Sequence, residues 1–137
     1  MNSALFWCMA SIKRFEEIIS WQEARKLNLT FGRLIKEKRF ENNFRLINQI
    51  EGSVGSIMDN IAEGFERSGN KEFIQYLFIA KASCGELRSQ LYRAMDRNFI
   101  NQNEFDQLAN HAMRISSLIQ KLINAIKSSE MKGLKFK

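Results

Sequence analysis

The 137-residue chain contains no proline, two cysteines, one histidine and seven glycines. Turns draw heavily on proline and glycine, so a sandwich or barrel of many short strands is disfavoured and long helices with few connections are expected. Cys8, Cys84 and His111 are too few for a tetrahedral zinc site or for the disulfide framework of a small secreted domain. Cys84 falls on an apolar helical stripe, where a reduced thiol acts as a small hydrophobe rather than a nucleophile. No apolar run approaches the roughly 18 residues of a transmembrane helix. The stretch Leu5-Phe6-Trp7-Cys8-Met9 is short and has no basic residue before it, unlike a secretory signal, so a cytoplasmic chain without a membrane partner is expected. Met9 is also a plausible start, which makes the first eight residues either an upstream extension or a disordered tail, and residues 1–14 read as an N-terminal extension to the bundle. Glycine-rich phosphate loops, G-x-S-x-G and H-E-x-x-H are missing, and Gly52, Gly55 and Gly64 fit none of their spacings. The sequence therefore offers no catalytic residues, no metal ligands and no cofactor site.

What is present is helical periodicity. With 45% hydrophobic and 26% charged residues, the composition is that of one globular domain. Ser20 and Glu23 form a potential capping box, followed by Trp21, Ala24, Leu27, Phe31 and Leu34 on one face. A second helix is expected over 43–65, with a seam of Ile47, Ile50, Val54, Ile57 and Ile61. A third is expected over 71–98, where Phe73, Leu77, Ala80, Cys84, Leu87, Leu91 and Ala94 repeat like a heptad. Asn101 and Glu104 read as the cap of a fourth, reaching about Lys127 through Phe105, Leu108, Ala112, Ile115, Ile119, Leu122 and Ile126. Three short connections between long helices predict an all-α, antiparallel up-down-up-down four-helix bundle over 15–127. The remainder, 128–137, reads as a mobile basic tail.

The net charge of +6 is uneven. Residues 20–40 hold six basic and two acidic side chains, whereas 41–70 hold two and five. Lys26, Arg33 and Lys36 share a stripe of the first helix. On the third, Lys81 and Arg88 share one face, and Arg93 and Arg97 another. Such stripes suit phosphate contacts without base specificity, or an ordinary solvated exterior with local ion pairs. A separate polar group, Asn60, Glu63 and Arg67 with Ser83 and Glu86, is expected to meet across the second and third helices as a hydrogen-bonded network fixing their register. Its carboxylates also admit an acid–base or metal reading, against which stands the lack of Glu-x-x-His pairs.

Several blocks resemble one family. Phe15 to Ala24 is similar to its opening Phe-x-x-Leu-x-x-Trp-Gln-x-Ala. Gln49-Ile50, Ser56-Ile57 and Asn60-Ile61-Ala62-Glu63-Gly64 resemble its central block, and Phe73, Ile79-Ala80, Ser83 and Glu86-Leu87 the next. The family is that of the 23S rRNA intervening-sequence proteins, also called S23 ribosomal proteins, and the match spans residues 15 to about 125. The resemblance implies an antiparallel four-helix bundle assembled as a homopentamer. It also implies kinship with the accessory protein of diversity-generating retroelements, a basic barrel that binds nucleic acid and a reverse transcriptase. Where family members often carry Arg-Arg after the glutamine, this chain has Glu51-Gly52, so a basic site does not transfer to the second helix. The leading expectation is a non-enzymatic oligomer binding RNA or DNA through Lys26, Arg33, Lys36, Lys81, Arg88, Arg93 and Arg97. The other is a scaffold docking a partner protein such as a reverse transcriptase, with Trp21, Phe31, Tyr76 and Phe78 as exposed candidates.

Overall fold

Apolar side chains three and four positions apart put one greasy stripe on each helix, and stripes of this kind are buried by packing helix on helix. The computed structural model describes residues 12–135, with side chains as far as Ser129. Of the expected extension, residues 1–11 with Cys8 lie outside the described residues, as do the side chains of Lys132, Lys135 and Lys137. A 3-10 turn, Phe15–Glu17, leads into α1 (Ile19–Lys36), α2 (Phe44–Glu66), α3 (Asn70–Asp96) and α4 (Gln102–Lys135). Each helix packs on the next and α1 closes onto α4, while the backbones of the diagonal pairs α1–α3 and α2–α4 stay farther apart. That is the cyclic packing of a four-helix bundle.

The seams occupy the core. Leu27, Phe31, Ile50, Val54, Ile57, Ile61, Leu77, Leu87, Leu91, Ile115 and Ile119 are buried, and Cys84 lies among them. Burial pushes the Cys84 thiol up to about 12, which keeps it protonated and unreactive. Trp21, Leu34, Ile47 and Phe73, at the ends of the expected seams, are only partly buried.

Two helix ends differ from expectation. Ser20 and Glu23 make no capping box: α1 starts at Ile19, and its N-cap Ile18 has no side-chain cap. Burial of Ile18 and the edge-on contact of Phe15 with Trp21, 5.2 Å between ring centres, set where the helix begins. Ser20 and Glu23 consequently turn inward. At the other end, α4 continues past Lys127 through Lys135. The expected cap of α4 is formed in both directions: Glu104 N donates to Asn101 Oδ1 at 2.8 Å, and Asn101 N to Glu104 Oε1 at 2.9 Å.

Helices α1 and α3 end alike. Lys38 N donates to Ile35 O and Arg39 N to Leu34 O; Asn98 N donates to Met95 O and Phe99 N to Ala94 O. These are Schellman closures, which place Lys38 (φ 58°) and Asn98 (φ 62°) in the left-handed region. A β-carbon is disfavoured there, so Lys38→Gly is expected to stabilise the protein by about 1 kcal/mol. Asn98→Gly should gain less, because asparagine visits this region more readily. An unchanged or lowered denaturant midpoint for Lys38→Gly would contradict this reading.

Candidate functional site

The face between α2 and α3 carries a ladder of polar contacts. Its outermost rung joins Arg93 Nη1 to Gln49 Oε1 at 2.6 Å. Next, Ser53 Oγ and Gln90 Nε2 both donate to Glu86 Oε1 at 3.2 Å. Then Ser56 and Ser83 pair through their hydroxyls at 2.8 Å, and Asn60 Nδ2 donates to Ser56 Oγ at 2.9 Å. At the far end Arg67 Nη2 donates to Glu63 Oε1 at 3.0 Å and to the Tyr76 hydroxyl at 2.9 Å. Asn60 and Ser83 are thus linked through Ser56, Glu86 sits on a separate rung, and Glu63 with Arg67 forms a third group on the surface. Ser53, Ser56, Gln49, Tyr76 and Gln90 were not among the expected members. Their signal lies in the sequence: Gln49, Ser53, Ser56, Asn60, Glu63 and Arg67 step by four and three, one position before the apolar seam.

Close approach of the two helices makes the ladder possible. Gly64 packs so tightly that a β-carbon on it would lie 2.6 Å from Tyr76 Cβ and 3.1 Å from Phe73 Cδ1. Among the described residues, no three His, Cys, Asp or Glu side chains come together as a metal site would need.

The basic side chains separate into three kinds. Lys26 Nζ lies 2.8 Å from the Glu23 carboxylate, which neutralises it. Lys81 and Arg93 keep their charge but are anchored by neutral partners, Lys81 Nζ donating to Gln120 Oε1 at 2.7 Å. Arg33, Lys36, Arg88 and Arg97 are exposed and have no ion pair among the described residues. Of the expected exposed aromatics, Phe31 is fully buried and Trp21 and Tyr76 are partly buried; Phe78 is exposed. Phe31 points inward because it continues the Ala24–Leu27 stripe. The exposed apolar side chains include Leu29, Phe44, Ile79, Tyr92 and Met113 as well.

A further cluster has no counterpart in the sequence reading. Glu23, whose side chain is 8% exposed, joins α1 to α4. Its carboxylate accepts from Lys26 at 2.8 Å and Arg114 Nη1 at 3.1 Å, and lies 3.1 Å from His111 Nε2. The Lys26 hydrogen bond, assisted by His111 and Arg114, outweighs desolvation and holds the carboxyl below its ordinary range. A depressed folded value means that the ionised group contributes stability above its unfolded value and loses it as pH falls through the folded one. Glu23→Gln should therefore cost about 1 kcal/mol at pH 7, the exposed Lys26 and Arg114 being screened by solvent. The wild-type advantage should shrink as pH falls below the unfolded value, and denaturant unfolding at pH 7 and at pH 3 measures the change. An equal difference at the two pH values would refute the assignment.

With this geometry in view, the comparison with known families is decisive. The model of the 23S rRNA-intervening sequence protein family matches residues 16–121, most of the chain. The chain belongs to that family. A solved relative is a protein of unknown function from the S23 ribosomal protein family of Bacteroides thetaiotaomicron VPI-5482. It is 22% identical over 77% of this chain and 98% of its own, with a TM-score of 0.71, a likeness of fold. No curated protein matches this member of the family. The family match covers both the α2–α3 ladder and Glu23 with its partners. No helix among the described residues is long and apolar enough to cross a membrane.

Proposed function

We propose that this family member is a non-enzymatic, self-associating bundle that binds RNA or DNA without base specificity. The observation carrying this reading is the set of exposed cations Arg33, Lys36, Arg88 and Arg97, on α1, on α3 and at the C-cap of α3, which have no ion pair among the described residues. Cations of this kind release counterions when they meet phosphates, and they do so on any sequence. Because α1 and α3 are diagonal in the bundle, their stripes face different directions. Copies set side by side would bring the α1 stripe of one near the α3 stripe of another, which supports a homo-oligomer as the binding form; the pentamer implied by resemblance is the ring to test for.

The test is a labelled 30-nucleotide RNA and the corresponding DNA titrated between 50 and 200 mM salt, alongside light scattering for the assembly. Affinity should fall steeply with salt, and Arg88→Ala and Arg97→Ala should each lower the slope of log K against log salt by roughly one. Absence of binding at 50 mM salt, or binding indifferent to salt, refutes the proposal.

A further inference from the structure

Between Phe78 and Tyr92 the outward stripe of α3 reads Phe78, Lys81, Ala82, Gly85, Arg88, Ser89 and Tyr92, with no carboxylate. Three contacts fix the direction of this stripe toward α4. Lys127 Nζ sits 5.4 Å from the centre of the Phe78 ring. Lys81 reaches Gln120, and Tyr92 lies against Phe105 with ring centres 4.6 Å apart. Glu86, the one acid in this part of α3, is turned the other way, onto Ser53 and Gln90.

Phe78 is 44% exposed and Tyr92 54%. They are fourteen residues apart on one helix, about 21 Å along its axis. Between them the surface is low: a β-carbon added at Gly85 would meet nothing within 4 Å. Two solvent-facing rings at the ends of a flat strip, with Lys81, Arg88 and Lys127 along it, combine the two elements that hold unpaired nucleic acid. Aromatic faces take the bases and cations take the backbone. A duplex keeps its bases stacked inside and would leave both rings unused.

We propose that this α3–α4 face is a platform for single-stranded nucleic acid, with bases stacked on Phe78 and Tyr92 and phosphates held by Lys81, Arg88 and Lys127. The proposal rests on the nucleic-acid reading above and adds to it the strandedness of the ligand and the residues that select it.

The experiment compares a labelled 12-nucleotide single strand with a 12-base-pair duplex by fluorescence anisotropy on the full chain at 50 mM salt. The single strand should bind more tightly. Phe78→Ala and Tyr92→Ala should each weaken single-strand binding by roughly 5- to 100-fold and leave duplex binding unchanged. Tyr92→Phe, which keeps the ring, should bind as wild type. Phe78→Leu, which preserves most of the packing, should lose affinity like Phe78→Ala, separating loss of the ring from loss of the fold. Preference for duplex, or single-strand binding indifferent to both rings, overturns the platform while leaving the broader reading standing. Absence of any binding by the wild type at 50 mM salt overturns both.

Discussion

Phe40→Ala is expected to cost about 3–5 kcal/mol, the range for emptying a buried aromatic site. Phe40 is 1% exposed although it lies in the connection between α1 and α2. Its ring meets Phe99 edge-on, 5.9 Å between centres, joining this connection to the one between α3 and α4. Beside it Arg39 Nη2 donates to Glu104 Oε1 at 2.6 Å and to Phe99 O at 3.3 Å. The segment also holds Lys38, Glu41 and Asn42 at positive φ, an unfavourable backbone for residues with a β-carbon. A buried ring and a charged hydrogen bond offset that strain. Phe40→Leu should recover more than half of the loss, since it refills most of the volume. A shift in denaturant midpoint equivalent to less than 1 kcal/mol for Phe40→Ala would mean that the ring does not anchor this end.

Gly64→Ala should destabilise by about 1–3 kcal/mol even though alanine is the better helix former. Its methyl would stand 2.6 Å from Tyr76 Cβ, a separation that no pair of β-carbons tolerates, and α3 would have to move away from α2. The displacement would also stretch the Arg67–Tyr76 and Ser56–Ser83 hydrogen bonds. Gly85→Ala is the control: the added carbon meets nothing, so the propensity gain of up to about 1 kcal/mol should appear as added stability. Thermal or denaturant unfolding of the two variants should move in opposite directions, and equal shifts would remove the argument for close approach at Gly64.

The architecture was legible because each core stripe is long. Ile50, Val54, Ile57 and Ile61 on α2, and Leu77 through Ala94 on α3, repeat over several turns, and a period sustained that far admits one structure. The α4 cap was legible because Asn101 and Glu104 act within a single turn. Ser20 and Glu23 have the same spacing and failed, because their competitor is tertiary: Ile18 is worth more buried than a cap is worth formed, and Glu23 finds partners on α4 some ninety positions away. The ladder was half legible. Asn60 and Ser83 are in it, but the residue joining them, Ser56, is an ordinary small polar side chain whose importance comes only from what faces it. Exposure of Phe78 against burial of Phe31 likewise depends on helix rotation in the finished bundle. The basic stripes were visible as spacings, whereas the neutralisation of Lys26 required knowing that Glu23 faces the same corner.

The brevity of α1 has a dynamic consequence. At 18 residues against 27 for α3, it spans about 27 Å beside a neighbour of about 40 Å, and it reaches the rest through two flanks, one of them pinned by a single carboxylate. Local opening follows the weakest boundary. The native ensemble should therefore fray by lifting this one staff while α2, α3 and α4 remain clasped, and its amides should exchange with deuterated solvent well before those around Ile57 and Leu87.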